Sequence, residues 1–289
     1  MNYEIKSDLL TVVISDSGAE LMSVKGADGH EYLWQGDEKY WKDRAPLLFP
    51  TCGRLLDNKF TYGGKEYAMK SHGFAKKCVF SVVEKSESKI TFKLSENEIS
   101  LNEYPFNFDL FAEYEVSGIE LNAKFTVKNT DDKVLPYMFG WHPGFMLDGN
   151  GKIGDFTLDF NGKTSLTWHP LQNGPFVRPN GESYSIENGK YALCEEEIYK
   201  NDTMIFVGTG DKTILSSPDT KYAIDFEWSK NLPYFCVWKD DNSEARFVCL
   251  EPWSNVPADG VTPENFETRV MSRLESGESE SYTYKIKFF

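Results

Sequence analysis

The stretch Phe108-Asp-Leu-Phe-Ala-Glu-Tyr-Glu-Val-Ser-Gly-Ile-Glu-Leu-Asn-Ala-Lys-Phe-Thr-Val-Lys128 decides the fold. Its first half sets Phe108, Leu110, Ala112, Tyr114 and Val116 against Asp109, Phe111, Glu113 and Glu115. Its second half sets Leu121, Ala123, Phe125 and Val127 against Asn122, Lys124, Thr126 and Lys128. The period is two on both sides of a Ser117-Gly118 turn. Successive strand side chains point to opposite faces, so each half reads as a half-buried strand and the pair as a hairpin.

Moving outward, Ile90, Phe92 and Leu94 repeat the alternation, as do Tyr282, Tyr284, Ile286 and Phe288. Turn signals recur at Asp28-Gly29, Gly63-Gly64, Ser86-Glu87-Ser88, Asn150-Gly151, Asn161-Gly162 and Asn180-Gly181. Short strands between frequent turns are the pattern of a sandwich. Helix is expected only over residues 95–102 and 189–199, and a strand over residues 135–141. No fixed-period repeat and no linker composition interrupts the chain. The expectation is one all-β domain over residues 1–289, a large antiparallel β-sandwich of two sheets.

The 289 residues carry 31 Lys+Arg against 45 Asp+Glu, a net charge of -14. So acidic a chain repels phosphate backbones and anionic lipid, which argues against nucleic acid and membrane surfaces as partners. No apolar run approaches the roughly 18 residues of a membrane helix. The N-terminal segment carries Glu4, Lys6 and Asp8 and lacks a leader-type apolar core. Cys52, Cys78, Cys194, Cys236 and Cys249 are odd in number and far apart, with no Cys-x-x-Cys and no zinc-type spacing. Five reduced thiols in the cytoplasm is the simplest reading.

The histidines are few: His30, His72, His142 and His169. His30 follows a tight turn and His169 precedes a loop, so both read as structural. His142 lies in Phe139-Gly140-Trp141-His142-Pro143-Gly144-Phe145, where proline forces the chain out of a ladder. An imidazole at a strand end beside aromatics suits a cleft for a ligand with an apolar face, such as a sugar; the alternative is a packed histidine under a turn. His72 lies in Lys70-Ser71-His72-Gly73-Phe74-Ala75, with a glycine that allows close approach. Glu251 ends the apolar run Arg246-Phe247-Val248-Cys249-Leu250 and precedes Pro252-Trp253. A carboxylate there is costly unless paired or used, and desolvation raises its pKa towards that of a general base. Arg54, after Pro50-Thr51-Cys52-Gly53, can fork to hydroxyls or a carboxylate, or serve a structural ion pair. No phosphate loop, dinucleotide fingerprint, nucleophile elbow or metal-ligand helix is present.

In this order these segments resemble the aldose 1-epimerase, or galactose mutarotase-like, family. Gly18-Ala19-Glu20-Leu21 and Glu31-Tyr32-Leu33-Trp34 are similar to its opening strands. Phe49-Pro50 and Gly53-Arg54 follow, then Lys59-Phe60 and Gly63-Gly64. Ser71-His72-Gly73-Phe74-Ala75 resembles the segment of the first active-site histidine. Trp141-His142-Pro143-Gly144-Phe145 resembles that of the second, and Cys249-Leu250-Glu251-Pro252-Trp253 that of the catalytic glutamate.

The resemblance implies a supersandwich fold with a sugar in a shallow groove, and interconversion of the α and β anomers of an aldohexose or related sugar. It implies Glu251 as the base on the anomeric hydroxyl and His142 as the acid on the ring oxygen, placed on opposite sides of the anomeric centre. His72, Arg54 and Asp202 would hold the sugar, and Trp141, Phe74 and Trp253 would stack on it. No cofactor or metal is implied. The compact Ser-His-Gly-Phe-Ala form is closer to the hexose-6-phosphate mutarotase branch, which continues with arginine; here Lys76-Lys77 follow, and Lys76 is the candidate contact. Free and phosphorylated hexoses both remain open, as do a monomer and a homodimer. Two rival readings are a non-catalytic sugar-binding module and a glycosidase pairing Glu251 with Asp202 or Asp259.

Overall fold

The computed structural model describes residues 1–149, 152–241 and 244–289. The Asn150-Gly151 turn signal therefore lies outside the described residues. The chain forms two large antiparallel sheets, as the period of two requires. Among the described residues the back sheet has nine strands, in the order Lys190–Ala192, Thr157–Asp159, Lys212–Ser216, Ile224–Trp228, Ser279–Phe288, Glu120–Asn129, Phe108–Ser117, Lys89–Ser95 and Ser81–Lys85. The hairpin of residues 108–128 sits within it, in register from Ser117 opposite Glu120 to Phe108 opposite Asn129. Gly118 has φ 57° at the first turn position, where a two-residue hairpin turn needs a positive φ.

The front sheet runs Glu182–Ser185, Ser165–His169, Thr203–Val207, Tyr234–Trp238, Phe247–Trp253, Gly140–Trp141 and Leu47–Leu48; Gly144–Met146 also pairs with Phe247–Trp253. Aromatic side chains from the two inner faces meet between the sheets. Trp141 of the front sheet lies 5.6 Å from Phe125 and 5.2 Å from Tyr284 of the back sheet. Phe139 stacks on Tyr282, and Phe235 packs on Phe160 and Trp228. Such rings bury large apolar areas with edge-on geometry that favours one packing. Tyr284 also donates its hydroxyl to the Pro252 carbonyl at 3.1 Å, tying the back sheet to the central front strand.

Three local expectations shift. The helices cover Glu98–Glu103 and Glu195–Asn201. The first starts late because Ser95 completes a strand on Phe108–Ser117, and Asn97 then caps the helix by accepting from the Ser100 N–H. The second starts late because Lys190–Ala192 pairs with Thr157–Asp159. The run 135–141 is split: Leu135–Tyr137 pairs with Ser272–Leu274, while Gly140–Trp141 joins the front sheet. Among the described residues no helix is long and apolar enough to cross a membrane.

Candidate active site

The strand Phe247–Trp253 is the floor of a groove of about 270 Å³ on the outer face of the front sheet. Val248 and Leu250 point into the sandwich core, so alternation turns Cys249 and Glu251 outward, while Trp253 both joins the core cluster and lines the groove. All seven residues are buried, because the groove face is itself walled in. Glu251 has no exposure, and Cys236 of the next strand lies directly opposite it.

His142 follows Gly140–Trp141, anchored by its N–H to the Pro46 carbonyl at 3.1 Å. Neighbouring strand residues face opposite ways, so His142 can reach the groove only if Trp141 enters the core. Trp141 does so: it is fully buried and donates its indole N–H to the Ala45 carbonyl. The expectation that Trp141 stacks on a ligand is therefore corrected. So is that for Phe74, which packs on Phe49, Tyr104 and Phe108 and does not line the groove. Trp253 does line it, with its ring 5.9 Å from His72.

His142 Nε2 stands 3.2 Å from Glu251 Oε2. Burial pushes the Glu251 carboxyl well above the ordinary carboxylate range; the Asp202 charge adds to this and the nearby Trp253 indole offsets part of it. Burial pushes His142 well below its usual value, and His72 and Lys76 add to the shift. Both shifts favour the uncharged form of the group, so burial opposes an ion pair at this contact. Neither Glu251 oxygen, nor the Trp253 indole N–H, has a regular hydrogen bond among the described residues.

His72 is held by its backbone. It has φ 65°, and its N–H donates to the Gly53 carbonyl at 2.8 Å. Gly73 follows at φ 71°, where a Cβ would come within 2.1 Å of the Phe49 oxygen; only glycine fits. The Gly53 N–H donates to His72 Nδ1 at 3.2 Å, so the ring hydrogen sits on Nε2. Burial, with Lys76 and Arg54 nearby, holds His72 at about 3, a neutral hydrogen-bond donor at ordinary pH.

Arg54 is exposed and lines the groove. Asp202, at φ 61° between the helix Glu195–Asn201 and the strand Thr203–Val207, also lines it. It accepts from the Trp238 indole at 3.3 Å, and partial burial raises its carboxyl. Lys76 is in the groove but bonded to Asp43 at 2.8 Å, whereas Lys77 lines a separate cavity. Asp259 does not line the groove; its oxygens take the N–H groups of Val261 and Thr262 and the Thr262 hydroxyl. A glycosidase pairing of Glu251 with Asp259 is thereby removed.

Trp41, Asp43 and Trp238 were not anticipated. The Trp41 and Trp238 rings lie 5.0 and 5.5 Å from His142 and wall it in. Alternation of Tyr234, Cys236 and Trp238 along one strand was a usable signal; Trp41 and Asp43 lie in an irregular loop that carried none. Among the described residues, His142, Cys249 and Glu251 also gather their ligating atoms within 4.8 Å, close enough to be drawn onto one cation. Cys249 and Glu251 share the strand Phe247–Trp253 and His142 joins them from the segment after Gly140–Trp141, so the chain distance to His142 hid the cluster.

A two-sheet sandwich with this groove is the galactose mutarotase-like fold. A galactose mutarotase related enzyme from Lactobacillus acidophilus superposes with a TM-score of 0.93 at 29% identity, over 100% of this chain and 97% of that one. A galactose mutarotase-like protein from Lactobacillus casei gives 0.93 at 27% identity, over 100% of both chains. The protein LacX of Lactococcus lactis is 30% identical over 269 residues, 89% of this chain and 88% of its own. The chain belongs to the aldose 1-epimerase family, whose model matches residues 1–287. Membership points to a sugar substrate and to isomerase chemistry.

Proposed function

We propose that this protein is a mutarotase that interconverts the anomers of an aldohexose or close relative. The observation that carries the reading is the 3.2 Å approach of His142 Nε2 to Glu251 Oε2 at the groove floor. It also revises the expected layout. Groups so close cannot flank a sugar ring. They can instead address O1 and O5 together, because both oxygens are bonded to the same anomeric carbon.

The reacting form of the pair is carboxylate with imidazolium, one proton transfer along that contact from the resting form. Glu251 takes the O1 proton, His142 gives its Nε2 proton to O5, and the C1–O5 bond breaks as O1 becomes a carbonyl. The C1–C2 bond turns. O5 then attacks the other face of the carbonyl carbon, returning its proton to His142 while Glu251 reprotonates O1. Protons and electron pairs balance over the cycle, and neither group is consumed. His72 Nε2–H, Arg54 and Asp202 offer hydrogen bonds that hold the ring against the pair, lowering the entropic part of the barrier. Trp41, Trp238 and Trp253 supply apolar surfaces for C–H faces of the sugar. Anomer exchange followed by NMR tests the reading. Glu251→Gln and His142→Ala should each lose about 10²–10⁴-fold in rate; undiminished exchange in either variant would remove that residue from the mechanism.

A further inference from the structure

We propose that the Asp43–Lys76 ion pair sets the substrate class, selecting an uncharged aldose and refusing sugars that carry phosphate or carboxylate. The inference deepens the mutarotase reading and rests on it. Lys76 Nζ donates to Asp43 Oδ2 at 2.8 Å, and both residues line the groove. Their side chains are 21% and 22% exposed, so the pair is largely enclosed by the groove wall.

Around the pair, two cations, Arg54 and Lys76, stand against two carboxylates, Asp43 and Asp202. An anionic sugar would find Lys76 already committed and two carboxylates close by. To bind at Lys76 it must displace Asp43, which leaves a half-buried carboxylate without its partner, and the other groove cation, Arg54, is exposed and screened by water. A hydroxyl meets no such conflict. It accepts from the ammonium and donates to the carboxylate at once, so an ion pair is complementary to a neutral polyol. Asp43 and Lys76 line the same groove as His72 and His142, so a bound sugar meets the pair. Repulsion built against the wrong ligand is how such sites discriminate.

The test compares galactose and glucose with their 6-phosphates, using the intact chain. Wild type should show a kcat/KM about tenfold or more in favour of the free hexoses. Asp43→Asn frees the ammonium and removes a negative charge, so it should shrink or invert that ratio. The change should lie mainly in KM, since the pair does not touch the reacting atoms, and Asp43→Glu should restore the preference. A thermal melt like wild type separates this from misfolding. Wild type preferring a 6-phosphate, or a folded Asp43→Asn variant with an unchanged ratio, would overturn the inference. If wild type accelerates no sugar, the mutarotase reading fails. Calorimetry on the same four sugars then still decides selection by charge: tighter free hexose supports it, and tighter phosphate contradicts it.

Discussion

Glu251 is ionisable, fully buried and, among the described residues, without a regular hydrogen bond, a costly arrangement that stability alone does not favour. Its raised carboxyl pKa means the folded state holds a proton that the unfolded chain releases. Stability from this group is thus present at low pH and lost as pH rises from the ordinary carboxylate value through the folded one. Glu251→Gln should therefore slow exchange about 10²–10⁴-fold yet raise the melting temperature at neutral pH, by roughly 2–4 °C per kcal/mol released; a lower melting temperature would contradict the raised pKa. The pH–rate profile follows from the same shifts. The pair works with one proton. Alkali removes it through the raised Glu251, and acid adds a second through the depressed His142. Exchange NMR across pH should give a broad plateau, with no acid limb at the ordinary histidine value of about 6.5. That His142, His72, Arg54 and Glu251 share one groove was foreshadowed by the order of the family-like motifs, since each residue taken alone left a structural role open. Asp43 and Trp41 were not, because position in a loop does not reveal which way a side chain turns.

At the scale of elements, alternation is the rule that sorts core from site. Trp141 and His142 were both read as facing a ligand, and adjacent strand residues cannot share a face. Applying the period to residues 140–142 as strictly as to 108–128 would have sent Trp141 inward. The same rule brings Trp238 to the groove from the strand Tyr234–Trp238. Trp238→Ala should raise KM while moving kcat little, as steady-state anomer exchange can show; an effect confined to kcat would mean the indole does more than line the wall. The turn that carries His72 depends on Gly73. Gly73→Ala, at φ 71° with a Cβ 2.1 Å from the Phe49 oxygen, should cost about 2 kcal/mol or more and disorder His72. Denaturant titration measures this, and a variant as stable as wild type would show that the turn relaxes freely.

For the whole molecule, two sheets suffice to bring Glu251 and His142 together. Gly140–Trp141 and Phe247–Trp253 are neighbouring strands of the front sheet, and their pairing brings His142 beside Glu251. The architecture was legible because period two, repeated with frequent turns, has few other solutions. Which strands neighbour one another was not, since the back sheet inserts the C-terminal strand Ser279–Phe288 between Glu120–Asn129 and Ile224–Trp228, and only tertiary packing selects that order. Trp141 spans the layer between the sheets, so Trp141→Ala should cost about 3–5 kcal/mol in urea unfolding. A much smaller loss would mean that the sandwich closes over the gap.

The most direct measurement is NMR anomer exchange on a panel of aldohexoses with wild type, Glu251→Gln and His142→Ala side by side. The account predicts acceleration by wild type on at least one sugar, and a loss of about 10²–10⁴-fold in each variant. Exchange at the buffer rate with wild type on every sugar, or undiminished exchange in both variants, would contradict it.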